Sequence, residues 1–366
     1  MKHIDNIRTY IKFRGDLDIK HHPFNEVDAL ILTQLSYIRF ENIVPTIGDV
    51  NTITIKDAAH RYQKSTENNV IFYEEAEEIF AMMSTAPRYS NMTLCNYVNQ
   101  IDIMEHKQFS ALHINIAPKQ TFIAFRGTDQ TIIGWREDCN MTYMMPVPSQ
   151  KSAVEYVNET IKNGLFHKYY LGGHSKGGNL AIYSGIYCDS KIQKKLAHIY
   201  SFDGPGFNKT VVNDAAYLRI KDKISSFVPV ASVIGLLMEH EEAYKIVKSS
   251  EVTFMQHDAF SWMINGTAFE VADSLDEFST KTSRIVKTWL ENTDLDERKL
   301  LVDGIFDVLE QAGIIEINNF AEIDLKKAGA LLKAASSIQH EQREVVVKLM
   351  KLLIEESIRR KKNKNA

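Results

Sequence analysis

The chain has 366 residues, of which 44% are hydrophobic and 25% are charged, and its formal net charge is −4. This composition is that of an ordinary globular protein and excludes a fibrous or disordered chain. The small net charge gives no reason to expect nucleic acid as a partner. The three cysteines form no CxxC pair, so we expect neither a disulfide framework nor a metal site, and no cofactor.

The first part of the chain has mostly helical and irregular patterns, and we expect this lead-in to reach about residue 110. Its first residues lack the apolar run of a signal peptide, and nowhere do 18 apolar residues follow one another. Both observations favour a cytoplasmic protein. Asn25 and Asp28 predict the capping of a helix. The apolar face of that helix consists of Ala29, Leu30, Leu32, Leu35 and Ile38.

From about residue 111 the pattern changes to strands that alternate with helices. Strands at residues 111–116 and 121–125 are expected to form a hairpin around Pro118-Lys119-Gln120. Such an alternation predicts a mainly parallel sheet with helices on its faces. The remaining predicted elements are strands at residues 169–171, 197–202 and 224–229 and helices at residues 152–163 and 179–183.

The pattern is helical again from about residue 268 to the end. We therefore expect two parts, a catalytic domain over residues 1–267 and a helical C-terminal extension over residues 268–366. The extension ends in a basic tail, a candidate for peripheral contact with an anionic membrane surface. A frayed, solvated end is favoured over such contact, and the pattern gives no oligomeric state. The tail contains Arg359, Arg360, Lys361, Lys362 and Lys364.

The segment Gly173-His174-Ser175-Lys176-Gly177 stands between a predicted strand and a predicted helix. A strand followed by Gly-x-Ser-x-Gly and then by a helix is the pattern of a nucleophile elbow, which exposes the serine hydroxyl at the end of the strand. The glycines keep side chains away where strand and helix crowd together, and the helix N-terminus favours developing negative charge. A plain glycine-rich turn is the alternative. A phosphate-binding loop is excluded, because no lysine follows Gly177.

A general base is expected after the serine, in the chain order serine, acid, histidine. His257 is favoured because it lies in a loop that can reach the elbow. His240 is the second candidate, in the charged stretch 238–242, which is interpreted as a solvated helix or lid. His198 opens a predicted strand and His340 lies in the helical tail, so neither is favoured.

An oxyanion hole needs two preorganised donors. The backbone N–H of Lys176, directly after the serine, is the first. Thr128, in the loop after the strand at residues 121–125, offers an N–H and a hydroxyl as the second. The alternative is a plain turn at the end of a strand, and Asp138 is expected to hold the loop around Arg126.

Three groups of residues resemble the class-3 (fungal-type) lipases. They are Phe125-Arg126-Gly127-Thr128 with Trp135 and Asp138, the elbow segment, and Phe202-Asp203-Gly204-Pro205-Gly206-Phe207. The pattern is also similar to a bacterial lipase-like family of unknown function that carries Gly-His-Ser-Lys-Gly-Gly-Asn and Gln-His-Asp. The resemblance covers residues 25 to about 265. It implies an α/β-hydrolase fold and an acyl or lipid-like ester as substrate.

The acid departs from the lipase pattern. The lipases carry an Asp just after the strand that corresponds to residues 224–229, and here no carboxylate stands at residues 230–233. Asp203 ends the preceding strand, and the carboxyl ends of parallel strands meet at one edge of a sheet, so Asp203 is expected to supply the acid. Asp258 is the other candidate, and a turn-capping role is the alternative for Asp203. Ser232 is expected to contribute little.

Together these residues predict a serine hydrolase that cleaves carboxylic esters through an acyl-enzyme on Ser175. His257 is the expected base and Asp203 the expected acid, with Thr128 and Lys176 as oxyanion donors. The alternatives are a thioesterase, peptidase or acyltransferase with the same nucleophile, and a non-catalytic scaffold whose terminal helices bind a partner.

Overall fold

The computed structural model describes residues 5–64, 73–129, 131–162, 164 and 166–311. It divides into two compact units. The predicted helices beyond residue 311, His340 and the basic tail lie outside the described residues. Among the described residues, the first unit comprises those up to 101, 109–127 and 148–288, and the second comprises those in 102–108, 128–147 and 289–311.

Helices and strands alternate through most of the part that the structure describes. The helices are α1 (Ile7–Arg14), α2 (Glu26–Gln34), α3 (Ile55–Lys64), α4 (Glu74–Thr85), α5 (Pro87–Ser90), α6 (Ile132–Asn140), α7 (Pro148–Thr160), α8 (Lys176–Tyr187), α9 (Ser190–Gln193), α10 (Lys209–Val212), α11 (Ala215–Leu218), α12 (Glu277–Glu291) and α13 (Leu295–Gln311). The strands are β1 (Ile53–Thr54), β2 (Thr93–Asp102), β3 (Lys107–Ala117), β4 (Gln120–Phe125), β5 (Lys168–His174), β6 (Leu196–Phe202), β7 (Ile224–Pro229), β8 (Tyr244–Val247), β9 (Ile264–Asn265) and β10 (Ala268–Phe269).

Strands β1 to β8 form one sheet whose spatial order follows the chain, and β9 pairs with β10. The pair β3–β4 is antiparallel, and the pairs from β4 to β8 are parallel. Helices between successive strands flank this sheet, which makes the fold an α/β-hydrolase fold, as predicted. Because β5, β6 and β7 are parallel, their carboxyl ends lie at one edge of the sheet.

Several sequence predictions agree with the structure and others do not. Helix α2 begins with the predicted capping box, in which the side chains of Asn25 and Asp28 and their backbone N–H groups pair reciprocally. Strand β2, however, lies in the stretch predicted to be mostly helical, and β8 was not predicted. Residues from 268 onward also begin with β10, and helix starts only at Glu277.

Helix α8 is buried from Lys176 to Ile186 and packs against β5, β6 and α7. Its glycines allow this close approach. An added Cβ at Gly177 would lie 2.2 Å from the carbonyl oxygen of Phe125, and one at Gly185 would lie 2.4 Å from the Ile199 side chain. Side chains at these positions would push the helix off the sheet. Ser175, at the head of α8, is therefore fixed relative to the strands.

In the second unit, α6 packs against α13. The buried guanidinium of Arg136 lies 2.8 Å from Asp303, 3.4 Å from Asp307 and 3.2 Å from Glu310. Three carboxylates around one cation bind the two helices together more firmly than a single exposed ion pair would. Of the helices that the structure describes, none is long and apolar enough to cross a membrane.

Candidate active site

Ser175 occupies a sharp turn between β5 and α8. Its φ of 57° and ψ of −132° are unusual for a residue with a side chain, and such a conformation persists only where the surroundings impose it. Its N–H donates to the carbonyl of Phe202 at 2.9 Å. An added Cβ at Gly173 would lie 2.2 Å from the backbone of Gly177. Both glycines of the motif are thus sterically required.

His257 ends a short 3₁₀ helix, Thr253–His257. Its Nδ1 lies 2.6 Å from Oδ2 of Asp203. The imidazole is 30% exposed and the carboxylate is fully buried. Because an ionised carboxylate only accepts hydrogen bonds, Nδ1 carries the hydrogen. Nε2 is therefore the nitrogen available to take a proton.

Asp203 stands directly after β6 with φ at 51°. Its N–H donates to the carbonyl of Phe227 at 2.7 Å. Its Oδ1 accepts hydrogen bonds from Ser232 Oγ at 2.5 Å and from the Gly235 N–H at 3.1 Å. The loop after β7, where the lipases carry their acid, here supplies donors to an acid from the neighbouring strand. Ser232, which was expected to contribute little, thus contacts the carboxylate directly through its hydroxyl.

The turn that follows Asp203 is held by Asn179, which the sequence analysis did not single out. The buried Asn179 amide donates to the carbonyls of Pro205 and Gly206, at 3.0 Å each, and accepts from Gln150 at 2.8 Å. Gly204 lies against the elbow, since an added Cβ there would lie 3.0 Å from the Ser175 carbonyl oxygen. Helix α8 thus begins directly after the serine, and its Asn179, four residues beyond Ser175, holds the turn that follows Asp203.

His174 connects the elbow to the loop of His257. The two imidazole rings are 4.6 Å apart, and His174 Nε2 donates to the backbone carbonyl of His257 at 2.8 Å. Tyr37 Oη lies 3.3 Å from the other nitrogen, Nδ1, and is placed to donate to it. Burial lowers the pKa of His174 to about 3. His174 is therefore neutral, and its two neighbours define which nitrogen carries the hydrogen.

The model of the Mbeg1-like family matches residues 83–307, which is more than half of the chain. The chain belongs to the Mbeg1-like family. Membership agrees with the resemblance to lipase-like proteins that the sequence motifs indicated. None of the curated proteins matches the sequence.

Among solved structures, the chain is similar to the Rhizomucor miehei lipase propeptide complex, with a TM-score of 0.37 and 15% identity over 75% of this chain and 79% of that one. It is also similar to M37 lipase, with a TM-score of 0.33 and 14% identity over 58% of this chain and 69% of that one. At such low scores the assignment of the fold rests on the strand order and connections described above.

His240 and His198, the other candidate bases of this Mbeg1-like protein that the structure describes, have polar partners of their own. The stretch 238–242 is not a solvated helix, because Glu242 is buried and accepts hydrogen bonds from Tyr217 and Ser226. Burial alone would raise the pKa of Glu242, but these bonds and the neighbouring His240 lower it to about 2. His240 Nδ1 lies 3.1 Å from this carboxylate. His198 bonds to Ser225 at 2.8 Å.

Asp258, the alternative acid, bonds to the backbone of the residues that follow it. Its carboxylate accepts from the N–H of Phe260 at 3.0 Å and caps the 3₁₀ helix Ala259–Ser261. Burial raises the pKa of Asp258. The structure therefore brings Asp203 to His257 and gives Asp258 a local capping role.

The two predicted oxyanion donors belong to different units. Lys176 is the first residue of α8, directly after Ser175. Thr128 belongs to the second unit, where its hydroxyl donates to Asp138. The hydroxyl is thus engaged within its own unit. Among the described residues, no group of three or more His, Cys, Asp or Glu is arranged to hold a metal ion.

Proposed function

We propose that this protein is a serine hydrolase that cleaves carboxylic esters with an acyl or lipid-like acid through an acyl-enzyme on Ser175. The observation that carries the proposal is the 2.6 Å hydrogen bond from His257 Nδ1 to the buried carboxylate of Asp203. The loop of this histidine is joined to His174, the residue before the strained serine. Serine, acid and histidine in this chain order are the machinery of covalent ester hydrolysis.

In the proposed reaction His257 Nε2 takes the proton of Ser175 Oγ as the oxygen attacks the ester carbonyl. Asp203 keeps Nδ1 protonated and stabilises the imidazolium. The N–H of Lys176, at the positive end of α8, is the proposed donor to the oxyanion. His257 then gives its proton to the departing alcohol. Water, activated by the same nitrogen, releases the acid and restores the serine.

The role of Thr128 remains a prediction from the sequence. Its backbone N–H is the proposed second oxyanion donor, because its hydroxyl already donates to Asp138. Family membership supports an ester as the substrate class, since the lipase-like motifs lie within the matched residues.

Labelling with a fluorophosphonate, followed by peptide mapping, tests the proposal. The wild type should be modified on Ser175, and Ser175→Ala should lose both labelling and ester hydrolysis while the melting temperature stays nearly unchanged. Ser190→Ala, at the start of helix α9, is the matched control. A wild-type chain that does not label would favour the non-catalytic scaffold.

The fate of the acyl-enzyme separates the remaining alternatives. An acyl-enzyme formed from a p-nitrophenyl ester should give free acid at a rate that added alcohol does not change. Transfer to the alcohol in preference to water would identify an acyltransferase. Faster acylation by a matched thioester or amide would identify a thioesterase or a peptidase.

A further inference from the structure

Helix α12 lies along the segment 230–239 that connects β7 to the region of β8. Four contacts join them in order: Asp276 N–H to Val230 O at 3.0 Å, Ser279 Oγ to Ser232 O, Ser283 Oγ to Leu236 O at 3.3 Å, and Lys287 Nζ to Glu239 Oε1 at 2.9 Å. Residues 276, 279, 283 and 287 are three or four positions apart and therefore share one face of the helix. The face runs alongside the segment whose residues support Asp203.

The structure describes every residue of α12, and among them only Ser279 is buried. A buried hydroxyl needs a hydrogen-bond partner, and that of Ser279 donates to the backbone carbonyl of Ser232. The Ser232 hydroxyl remains available and donates to Asp203 at 2.5 Å. Ser232 thus makes two different contacts. Its backbone carbonyl accepts a hydrogen bond from α12, and its hydroxyl donates one to the acid.

We propose that Ser279 is a positioning residue for the reaction, acting on Asp203 through Ser232. This inference rests on the proposed function, because it assigns Asp203 to the acid of that reaction. It also makes the start of α12 part of the catalytic apparatus, although the helix lies within the predicted C-terminal extension. Helix α12 holds Ser232, whose hydroxyl donates to Asp203, and thereby keeps the acid in place beside His257.

A double-mutant cycle tests the pathway through Ser232. Ser232→Ala removes a hydrogen bond to a charged group, and we expect kcat to fall about 10-fold with KM unchanged. Ser279→Ala should lower kcat by a smaller factor, about 3- to 5-fold. Because Ser279 acts through Ser232, the double variant should fall no further than Ser232→Ala alone. Active-site titration with a fluorophosphonate corrects each kcat for unfolded protein.

Thr280→Ala is the matched control, since the Thr280 hydroxyl bonds to the carbonyls of Asp276 and Glu277 at the start of the same helix. It should leave kcat unchanged. Ser283→Ala is a second test, at a half-buried position, and we expect it to lower kcat about 2-fold. Equal kcat for the Ser279 and Thr280 variants, or multiplicative losses in the double variant, would overturn the inference.

The ¹H–¹⁵N spectrum of labelled histidines gives a readout that does not depend on turnover. The Nδ1–H signal of His257 should shift in Ser279→Ala and Ser232→Ala and stay in place in Thr280→Ala. An unchanged signal in all three variants contradicts the positioning role. An inactive wild type with these shifts present would refute the proposed function while the structural coupling stands.

Discussion

His174 Nε2 donates a 2.8 Å hydrogen bond to the backbone carbonyl of His257, so the residue before the serine holds the loop of the proposed base. His174→Gln removes the ring contact and alters this bond. We expect kcat/KM to fall about 5-fold, the equivalent of one net hydrogen bond of about 1 kcal/mol. Tyr37→Phe should have a smaller effect in the same direction, because it removes only the partner of Nδ1.

His113 provides the matched control for this prediction. It is also a buried histidine, bonded to Thr160 at 2.9 Å, and it lies within β3 rather than at the elbow. His113→Gln should lower the melting temperature and leave kcat/KM unchanged. Equal losses of kcat/KM in both glutamine variants would show that His174 has no specific part in the reaction.

The same two histidines predict how stability depends on pH. Burial lowers the pKa of His113 and of His174 to about 3, below the ordinary value of about 6.5. Between these values the unfolded chain binds more protons, so the free energy of unfolding falls as the pH falls from about 6.5 towards 3. Each histidine adds up to about 1.4 kcal/mol per pH unit to that slope. Urea unfolding from pH 7 to pH 4 should show a shallower slope for either glutamine variant than for the wild type.

Asp203→Asn tests the assignment of the acid. An amide in place of the acid of a serine-protease triad lowers kcat about 10,000-fold because the histidine takes the wrong tautomer, and we expect a loss of that order here. Asp258→Asn should keep near-normal kcat, since asparagine also caps a helix well and the Asp258 carboxylate serves the N–H of Phe260. The reverse result from steady-state kinetics would transfer the role to Asp258.

Gly235→Ala should displace the acid without a change in charge. The added Cβ would lie 2.2 Å from Oδ1 of Asp203, so the carboxylate or the loop must move, and we expect kcat to fall at least about 10-fold. Gly304→Ala is the comparison, because nothing lies within 4 Å of an added Cβ in α13. It should raise the free energy of unfolding by about 0.5 to 1 kcal/mol and leave kcat unchanged. Normal kcat in Gly235→Ala would mean that Asp203 needs no close support.

Thr128→Val separates the two donors of Thr128. A lost oxyanion donor typically lowers kcat about 100- to 1000-fold. Because the hydroxyl donates to Asp138 and the backbone N–H is retained, we expect a loss well below 100-fold. Asp138→Asn combined with Thr128→Val should add little, since both changes affect one hydrogen bond. A loss of 100-fold or more in kcat would implicate the hydroxyl itself.

The parts of the site set by short-range chemistry could be predicted from the sequence. Gly173 is required by the backbone of Gly177, only four residues further along the chain, so the spacing of the two glycines reveals the turn. Asp203 was predicted because a parallel sheet places successive strand ends at one edge. The position of Asp203 at the edge of the sheet where β5 also ends follows from that topology and needs no knowledge of side-chain packing.

The residues that support the acid could not be predicted in this way. Ser232 lies 29 positions from Asp203, and Ser279 lies 47 positions beyond Ser232. Single serines carry no periodic signal, and their partners depend on tertiary packing. Strand β2 was missed for a related reason, since only Leu94 and Tyr97 among its ten residues are buried, which leaves little apolar alternation to detect.

The contact between the side chains of Asp203 and Ser232 also bears on how such a site diverges. Oδ1 of one residue and Oγ of the other are 2.5 Å apart, so the ends of β6 and β7 deliver side chains to the same point in space. An ancestor with the carboxylate at 232 and a hydroxyl at 203 would present similar groups to the imidazole. The acid can therefore migrate between neighbouring strands through exchanges at two positions, with the histidine loop unchanged.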